Sequence, residues 1–588
     1  MSKTRLAILT VASLVLLGAA ISLIVMVHRH AEPKSDSTKA DNDIVTSIKA
    51  VCDNTDYKQT CVDSLTKAKT HSTDPYDHVK TLFEITIAQL DDAAKNSNLM
   101  KEAQEDPRTN DALKSCKELA GLAVDDLRRS FDNMNIFNLN DLGQALFQLK
   151  IWMSGAISYQ QTCLDGFEKT EGDIGERMGK LLKQSMELTS DCLALITDFS
   201  QFFQAFGTPP TANRRLLSMF NNDYNFPEWV DGTKRRILQE EPKKITPNVT
   251  VALDGKGVYN EIIRIPKNLT HLMVMGDGPD KTRVTGSLNF IDGITTYHTA
   301  TFAVSGDFFM ARDIGFENSA GPEKHQAVAL RVSADYTVFY NCRMDGYQDT
   351  LYAHTYRQFY RECTISGTID FIFGDGAVVF QNCIMVVRKP KDNQNCIVTA
   401  QGRKESRQPT GLVLQNCSIV ADPPEGWLPW NATFAFDTLF YTEFNNHGPG
   451  ASKTNRVKWP GVKELSSKRI NRFTPGKFII GDTWIPPTGV PYTSGFMLDL
   501  PEDNSKDSDN NSNSNSNDDE SNDDDDDEDD SSSSKKKKSK KKKKRPKKGE
   551  GPAPAESPDN GIPESEISAP DSSPASSPEA VPIEKKET

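Results

Sequence analysis

The chain has 588 residues, 37% hydrophobic and 26% charged, with a formal net charge of −13. At roughly 100 to 200 residues per domain this length calls for two to four domains and excludes a small disulfide scaffold. Residues 501–588 hold 24 acidic against 15 basic side chains and residues 1–500 hold 58 against 54, so the body of the chain lacks the concentrated basic face of a nucleic-acid binder.

In chain order, the first feature is Leu6 to Val27, an uncharged apolar run of 22 residues between Lys3 and Arg5 on one side and His28-Arg29-His30 on the other. About 20 apolar residues span a bilayer. A cleaved signal has a shorter apolar region followed by a small-residue site. Residues 1–30 therefore read as a signal anchor, and as anchor or leader they send the rest of the chain into the secretory pathway. Disulfides are permitted there. None of the ten cysteines forms a C-x-x-C pair, which speaks against zinc or thioredoxin-type chemistry. Sequons at Asn248, Asn268 and Asn431 are expected on exposed loops, whereas the one at Asn416 is expected inside a strand and unmodified.

Residues 41–207 read as helical, with apolar positions three and four apart in Leu82-Phe83-Ile85-Ile87-Leu90, Leu119-Leu122-Ala123-Leu127, Leu142-Leu146-Leu149-Ile151 and Leu181-Leu182-Met186-Leu188-Leu193-Ile196. Four or more such helices with short connections predict an antiparallel bundle. Cys52 and Cys61 are close enough to staple a hairpin, leaving Cys116 and Cys163 to tie two helices and Cys192 over. Residues 208–244 are rich in Pro, Asn and Arg and carry Arg214-Arg215 and Arg235-Arg236. On the secretory route such dibasic sites suggest a processing linker; the alternative is ordinary solvated charge.

From Val249 the pattern turns to short β-rich runs, and a unit repeats: Phe339-Tyr-Asn-Cys342, Phe359-Tyr-Arg-Glu-Cys363, Phe380-Gln-Asn-Cys383 and Leu414-Gln-Asn-Cys417. A period near 20 residues with one strand-like core per copy is the signature of a solenoid, and aromatic and β-branched cores favour a parallel β-helix over residues 245–500. Residues 501–588 are Asn/Ser repeats, an acidic run from Asp523 to Asp530, a basic run from Lys535 to Lys548 and a Pro/Ser/Glu-rich end, a composition unable to build a core and expected to be disordered.

The chemistry is concentrated in three stretches: Gln326-Ala-Val-Ala-Leu330, Tyr347-Gln-Asp-Thr-Leu-Tyr352 and Thr368-Ile-Asp-Phe-Ile-Phe-Gly374. Gln326 to Gln348 and Asp349 to Asp370 both match the solenoid period. Equivalent positions on successive coils lie about 4.8 Å apart, so two glutamines and two carboxylates should cluster on one face. Two carboxylates that close do not both ionise, which separates an acid from a nucleophile, and amides beside them suit an oxyanion. This favours ester hydrolysis through an acyl-enzyme; a polar ladder satisfying buried backbone groups is the non-catalytic alternative. A lyase or glycosidase on a similar solenoid could also use clustered Asp residues, but the glutamines favour carbonyl chemistry. No G-x-S-x-G, H-E-x-x-H or Walker loop is present. His325 and His354, close to the cluster, read as packing or hydrogen-bonding residues.

These stretches, together with Gly276-Asp-Gly278, Gly286-Ser287, Thr295-Thr296, Gly315-Phe-Glu-Asn318, Ala320-Gly-Pro322 and Thr399-Ala-Gln-Gly-Arg403, resemble the plant pectin methylesterases over about residues 249–497. Cys52, Cys61, Cys116, Cys163 and Thr162-Cys-Leu-Asp-Gly166 are similar to the inhibitor-like domain that precedes such enzymes, a four-helix bundle with two disulfides. The resemblance implies a right-handed parallel β-helix that hydrolyses galacturonate methyl esters of pectin to pectate and methanol in the cell wall. It makes Asp370 the nucleophile, Asp349 the proton donor and later base, Gln348 the oxyanion stabiliser, and Gln326 and Thr296 substrate contacts. It further implies a Cys363–Cys383 disulfide, processing after the dibasic motifs, the chain's own inhibitor-like domain as a partner before processing, and no metal or other cofactor.

Two departures stand out. Asp254-Gly-Lys-Gly-Val-Tyr259 fuses segments that the family keeps apart. More important, the family's Leu-Gly-Arg-Pro-Trp stretch is missing between Cys417 and Trp427. Its arginine holds the nucleophilic carboxylate and its tryptophan lines the sugar groove, and Trp427 and Trp430 match a later stretch. The expectation is a raised pKa for Asp370 and weak or absent activity. The competing readings are a catalytically inactive pectin-binding protein and an inhibitor-type protein acting through residues 41–207.

Overall fold

The computed structural model describes residues 36–497 apart from 71, 96–98, 100–105, 135–141, 206–248, 251–256, 393, 421–438, 449–450 and 455. The expected anchor, processing linker and disordered tail lie outside the described residues, as do Asn248, Asn431 and the chain from 421 through Trp427 and Trp430.

Among the described residues six helices come first: α1 (Asp36–Cys52), α2 (Lys58–Lys67), α3 (Pro75–Ala94), α4 (Pro107–Met134), α5 (Leu142–Asp165) and α6 (Ile174–Ala205). Helix α4 shows why they form. Pro107 opens it, where a missing N–H is harmless, and Asp106 caps it by accepting from the Thr109 N–H at 2.9 Å. Leu113, Cys116, Ala120, Ala123 and Leu127 then recur at helical spacing and are all buried. Helix α3 packs on α4 and α6, and α5 packs on the same two, closing a four-helix bundle. Disulfides join Cys52 to Cys61, across α1 and α2, and Cys116 to Cys163, across α4 and α5. Cys192 is free and buried.

Twenty short strands among the described residues, β1 (Val249–Thr250) to β20 (Ser418–Val420), follow in triplets, one triplet per coil. Every third strand joins the same sheet, giving three sheets of seven, seven and six strands with parallel pairing throughout. This is a parallel β-helix, and its bore is filled by ladders of like residues. Strands β10 (Thr337–Tyr340), β13 (Arg357–Arg361) and β16 (Ala377–Gln381) set Phe339, Tyr360 and Phe380 in register, with rings stacked at 4.9 and 4.8 Å. Phe339 is fully buried and also meets Phe309 and Phe316. Phe339→Ala should cost about 3 to 5 kcal/mol, the range for a large aromatic truncated in a core; denaturant unfolding measures it, and a loss below about 1 kcal/mol would contradict this packing.

The repeated Asn or Glu before each cysteine has a backbone reason. Asn341, Glu362, Asn382 and Asn416 take φ of 49°, 54°, 56° and 52°, a left-handed turn in which asparagine is enriched. Asn416 therefore sits in an exposed bend between strands, not inside one, and its amide donates to Asn382 at 2.7 Å. Asn268 lies in an exposed turn, as expected.

The expected Cys363–Cys383 bridge is absent: both are free, buried thiols. They occupy equivalent positions on successive coils, so their side chains leave parallel backbones about 4.8 Å apart in the same direction. A disulfide needs the two Cβ atoms closer, about 3.8 Å apart, and facing each other. Cys363 instead donates to the carbonyls of Phe339 and Arg361 at 3.4 Å, and Cys383 to that of Tyr360 at 3.5 Å.

The bundle and the β-helix belong to one compact unit. Behind the solenoid, the chain after residue 439 runs along the first sheet: Trp484 packs on Tyr336 and Tyr492 on Phe359, and Gln381 donates to the Thr493 carbonyl at 2.9 Å.

Candidate active site

The five candidate residues lie on loops that enter the third sheet. Leu351 of β12 (Leu351–Ala353) pairs with Leu330 of β9 (Leu330–Val332) and with Ile372 of β15 (Ile372–Gly374). Asp349 and Asp370 each stand two residues before a paired position, so the register stacks them, as the 21-residue interval predicts. Backbone bonds pin the stack: Asp349 N–H to the Ile369 carbonyl at 3.0 Å and Ala327 N–H to the Gln348 carbonyl at 3.2 Å. Both aspartates occupy left-handed turns, with φ of 64° and 48°, a conformation that Asp tolerates better than most side chains. Thr296 begins a short 3-10 turn, Thr296–His298. It shares with Gln326, Gln348, Asp349 and Asp370 the wall of one cleft of about 2370 Å³.

Asp349 is 7% and Asp370 8% exposed, and burial dominates their electrostatics. Burial first, then the charge of Asp370 and that of Glu168, drive the Asp349 carboxyl well above the usual range. Burial raises Asp370 to about 6. Oδ1 of Asp370 and Oε1 of Gln326 are buried with no hydrogen-bond partner among the described residues. Asp349 thus holds a proton where Asp370 can lose one, beside amides that can donate to an oxyanion. Such a pair is equipped for carbonyl chemistry through an acyl intermediate. His354 is a structural residue: Nδ1 meets the Ser333 hydroxyl and Nε2 the Thr162 hydroxyl, each at 2.9 Å, and burial holds the imidazole neutral by pushing its pKa well below the ordinary value.

What the sequence did not disclose is the roof. Helices α4 and α5 and the turn after α5 lie on the cleft, where Thr162, Asp165, Gly166, Phe167 and Glu168 line it together with the candidate residues. Asp126, fully buried, accepts from the Tyr356 hydroxyl at 2.5 Å and faces Lys267 at 3.4 Å. Gln148 accepts from Tyr336 and Arg357 at 2.5 Å, and Arg357 is itself paired with buried Asp335 at 2.6 Å. Thr162-Cys-Leu-Asp-Gly166 was the single stretch of the helical half legible as a motif, and it falls at this contact. Tyr441, from the chain after the solenoid, also lines the cleft and feels the charge of Asp370, which together with burial raises its pKa.

Two family models match the chain: Pectinesterase over residues 233–424 and 422–482, and Plant invertase/pectin methylesterase inhibitor over residues 46–195. Among curated proteins of Arabidopsis thaliana, "Probable pectinesterase/pectinesterase inhibitor 21" is 43% identical across 85% of this chain and 84% of its own length. "Probable pectinesterase/pectinesterase inhibitor 58" is 43% identical across 77% and 91%. A solved structure, pectin methylesterase from carrot, is 38% identical over 44% of this chain and all of its own, with a TM-score of 0.42. The class is that of carboxylic ester hydrolases, and the chain belongs to the pectinesterase family, with an inhibitor-family domain ahead of the enzyme domain.

Proposed function

We propose that this protein removes methyl groups from the galacturonate esters of pectin, slowly, and that its own bundle covers the site until the linker is cut. The observation that carries the reading is the stacked Asp349–Asp370 pair with separated proton affinities beside Gln326 and Gln348. Asp370 attacks the C6 ester carbonyl, and the tetrahedral oxyanion accepts from the Gln348 amide while Gln326 holds the sugar and Thr296 contacts it. Asp349 gives its proton to the departing methoxide, so methanol leaves and an anhydride to Asp370 remains. Asp349 then takes a proton from water, the hydroxide opens the anhydride, and pectate and free Asp370 return. Slow turnover would follow from the missing arginine: Oδ1 of Asp370 is buried with no hydrogen-bond partner among the described residues, and burial raises the carboxyl to about 6. Residues 1–30 would place this chemistry on the secretory route, anchored or, after cleavage at Arg214-Arg215 or Arg235-Arg236, free in the wall.

The test is methanol release from esterified pectin across pH. The nucleophile must be ionised and the acid protonated, so the rate should rise as pH passes about 6 and fall only above the raised pKa of Asp349. The absence of methanol at every pH from chain cut within 208–244, with oligogalacturonate binding retained, would leave the inactive pectin-binding reading, which the buried Oδ1 of Asp370, without a partner among the described residues, favours.

A further inference from the structure

The candidate residues share one corner of the solenoid, and that corner continues one coil further. Gln326, Gln348 and Asp370 each lie where the chain passes from the second sheet to the third, in the connections before β9, β12 and β15. The next such connection runs from β17 (Ile384–Val387) to β18 (Thr399–Gln401) and opens with Arg388, which lines the same cleft. The Arg388 backbone N–H donates to the Gly367 carbonyl at 2.7 Å. Val387 pairs with Gly367, and Ser366 with Asp345, so Gly346 stands two coils, about 10 Å, behind it. The side chain crosses that span, passing the coil of Asp370. Its Nη1 donates to the Gly346 carbonyl at 2.7 Å, and the guanidinium lies 4.0 Å from the centre of the Tyr347 ring.

Gly346 to Gln348 is the run that carries the proposed oxyanion donor. The Tyr347 carbonyl accepts from the Thr368 N–H at 2.8 Å and that of Gln348 from the Ala327 N–H at 3.2 Å, while the Gly346 carbonyl accepts from Arg388 alone among the described residues. The Gln348 side-chain amide makes no hydrogen bond among the described residues, so its aim is set by the backbone beneath it. No carboxylate among the described residues pairs with Arg388, and the raised pKa of Asp370 has burial as its one cause; the guanidinium serves the corner and not the nucleophile. We propose that Arg388 is a positioning residue for the ester hydrolysis, fixing the Gly346–Gln348 corner and with it the aim of the Gln348 amide at the oxyanion. The assignment rests on the reading of Gln348 as the oxyanion donor. A guanidinium suits the task because one rigid plane donates to a carbonyl and stacks on a ring at once. An oxyanion donor counts only within about 2.7 to 3.1 Å of the place where the charge forms, and a misplacement of about 1 Å can cost about 100-fold.

Methanol release from esterified pectin by the chain cut within 208–244 tests this in a double-mutant cycle. Arg388→Met keeps a stem against Tyr347 and loses the donor. Its kcat should fall roughly 10- to 100-fold with KM within about twofold, because the oxyanion bond forms in the transition state. In a Gln348→Ala background the same change should cost less than about threefold, since the group it acts through is gone. Equal losses in both backgrounds, or a loss carried by KM, would overturn the assignment while leaving Gln348 in its role. A Gln348→Ala chain as fast as its parent, or a parent that releases no methanol, would remove Gln348 from the chemistry and the assignment with it. Hydrogen exchange reads the corner without turnover. In Arg388→Met the Thr368 amide should exchange faster while that of Thr364, which donates to the Cys342 carbonyl at 2.9 Å, stays protected; an unchanged Thr368 would equally overturn the assignment. Where Thr364 loses protection as well, the coil itself has opened, and Arg388→Lys, which keeps the charge and a donor without the plane, takes its place in the cycle with a smaller loss expected and the same two criteria.

Discussion

Conversion of Asp370 to Asn is expected to lower methanol release from esterified pectin by at least about 10⁴-fold, the scale seen when a nucleophile is removed from an enzyme that forms a covalent intermediate. The amide is isosteric and cannot attack the ester, so the loss is in kcat with substrate binding retained. Stability should move the other way. The carboxylate is 8% exposed, has one oxygen without a partner among the described residues, and is held near a pKa of 6 by burial, so an ionised Asp370 weakens the fold above that value and a neutral amide does not. The expected pair of results is no detectable methanol and an unchanged or higher melting temperature. Activity near that of the parent chain would remove Asp370 from the mechanism.

Gly155→Leu is expected to free the cleft. Gly155 lies in the middle of α5, and a Cβ there would come within 2.6 Å of both Asp126 Oδ2 and the Tyr356 ring. The bare backbone lets the helix rest against the β-helix at the centre of the buried network. Overpacking of this kind costs about 1 to 3 kcal/mol, so docking should weaken by up to about 5- to 150-fold. Leucine also suits a helix better than glycine by up to about 1 kcal/mol, which offsets part of the crowding against Asp126 of α4 within the bundle. Size-exclusion chromatography after cleavage within 208–244 should show the bundle leaving the variant at dilutions where it stays on the parent. Equal retention would mean that α5 is not the close point of contact.

Much of the catalytic half could be read from spacing, since each coil of the solenoid repeats the last and a period in sequence is a stack in space. Asp349 above Asp370 follows from 21 residues and nothing else. The resemblance, not the spacing, misled for Cys363 and Cys383, because stacking at one strand spacing brings side chains alongside each other without turning them face to face. The β-rich pattern misplaced Asn416, where a demand for positive φ overrode the neighbourhood. The roof was not legible for a different reason. Asp126 and Tyr356, or Thr162 and His354, are joined across 230 and 192 residues of sequence. Each side carries only part of a polar match that has no period, and the helical half shows on its own merely an amphipathic pattern that any bundle would have.

The left-handed turns under Asp349 and Asp370 have an evolutionary consequence. The backbone at those corners asks for a small polar side chain, and aspartate satisfies it whether or not a reaction takes place. Folding and chemistry are then nearly independent at these sites, so a catalytically silent copy would fold as readily as an active one. A chain with these corners can therefore lose catalytic power and keep a sound solenoid.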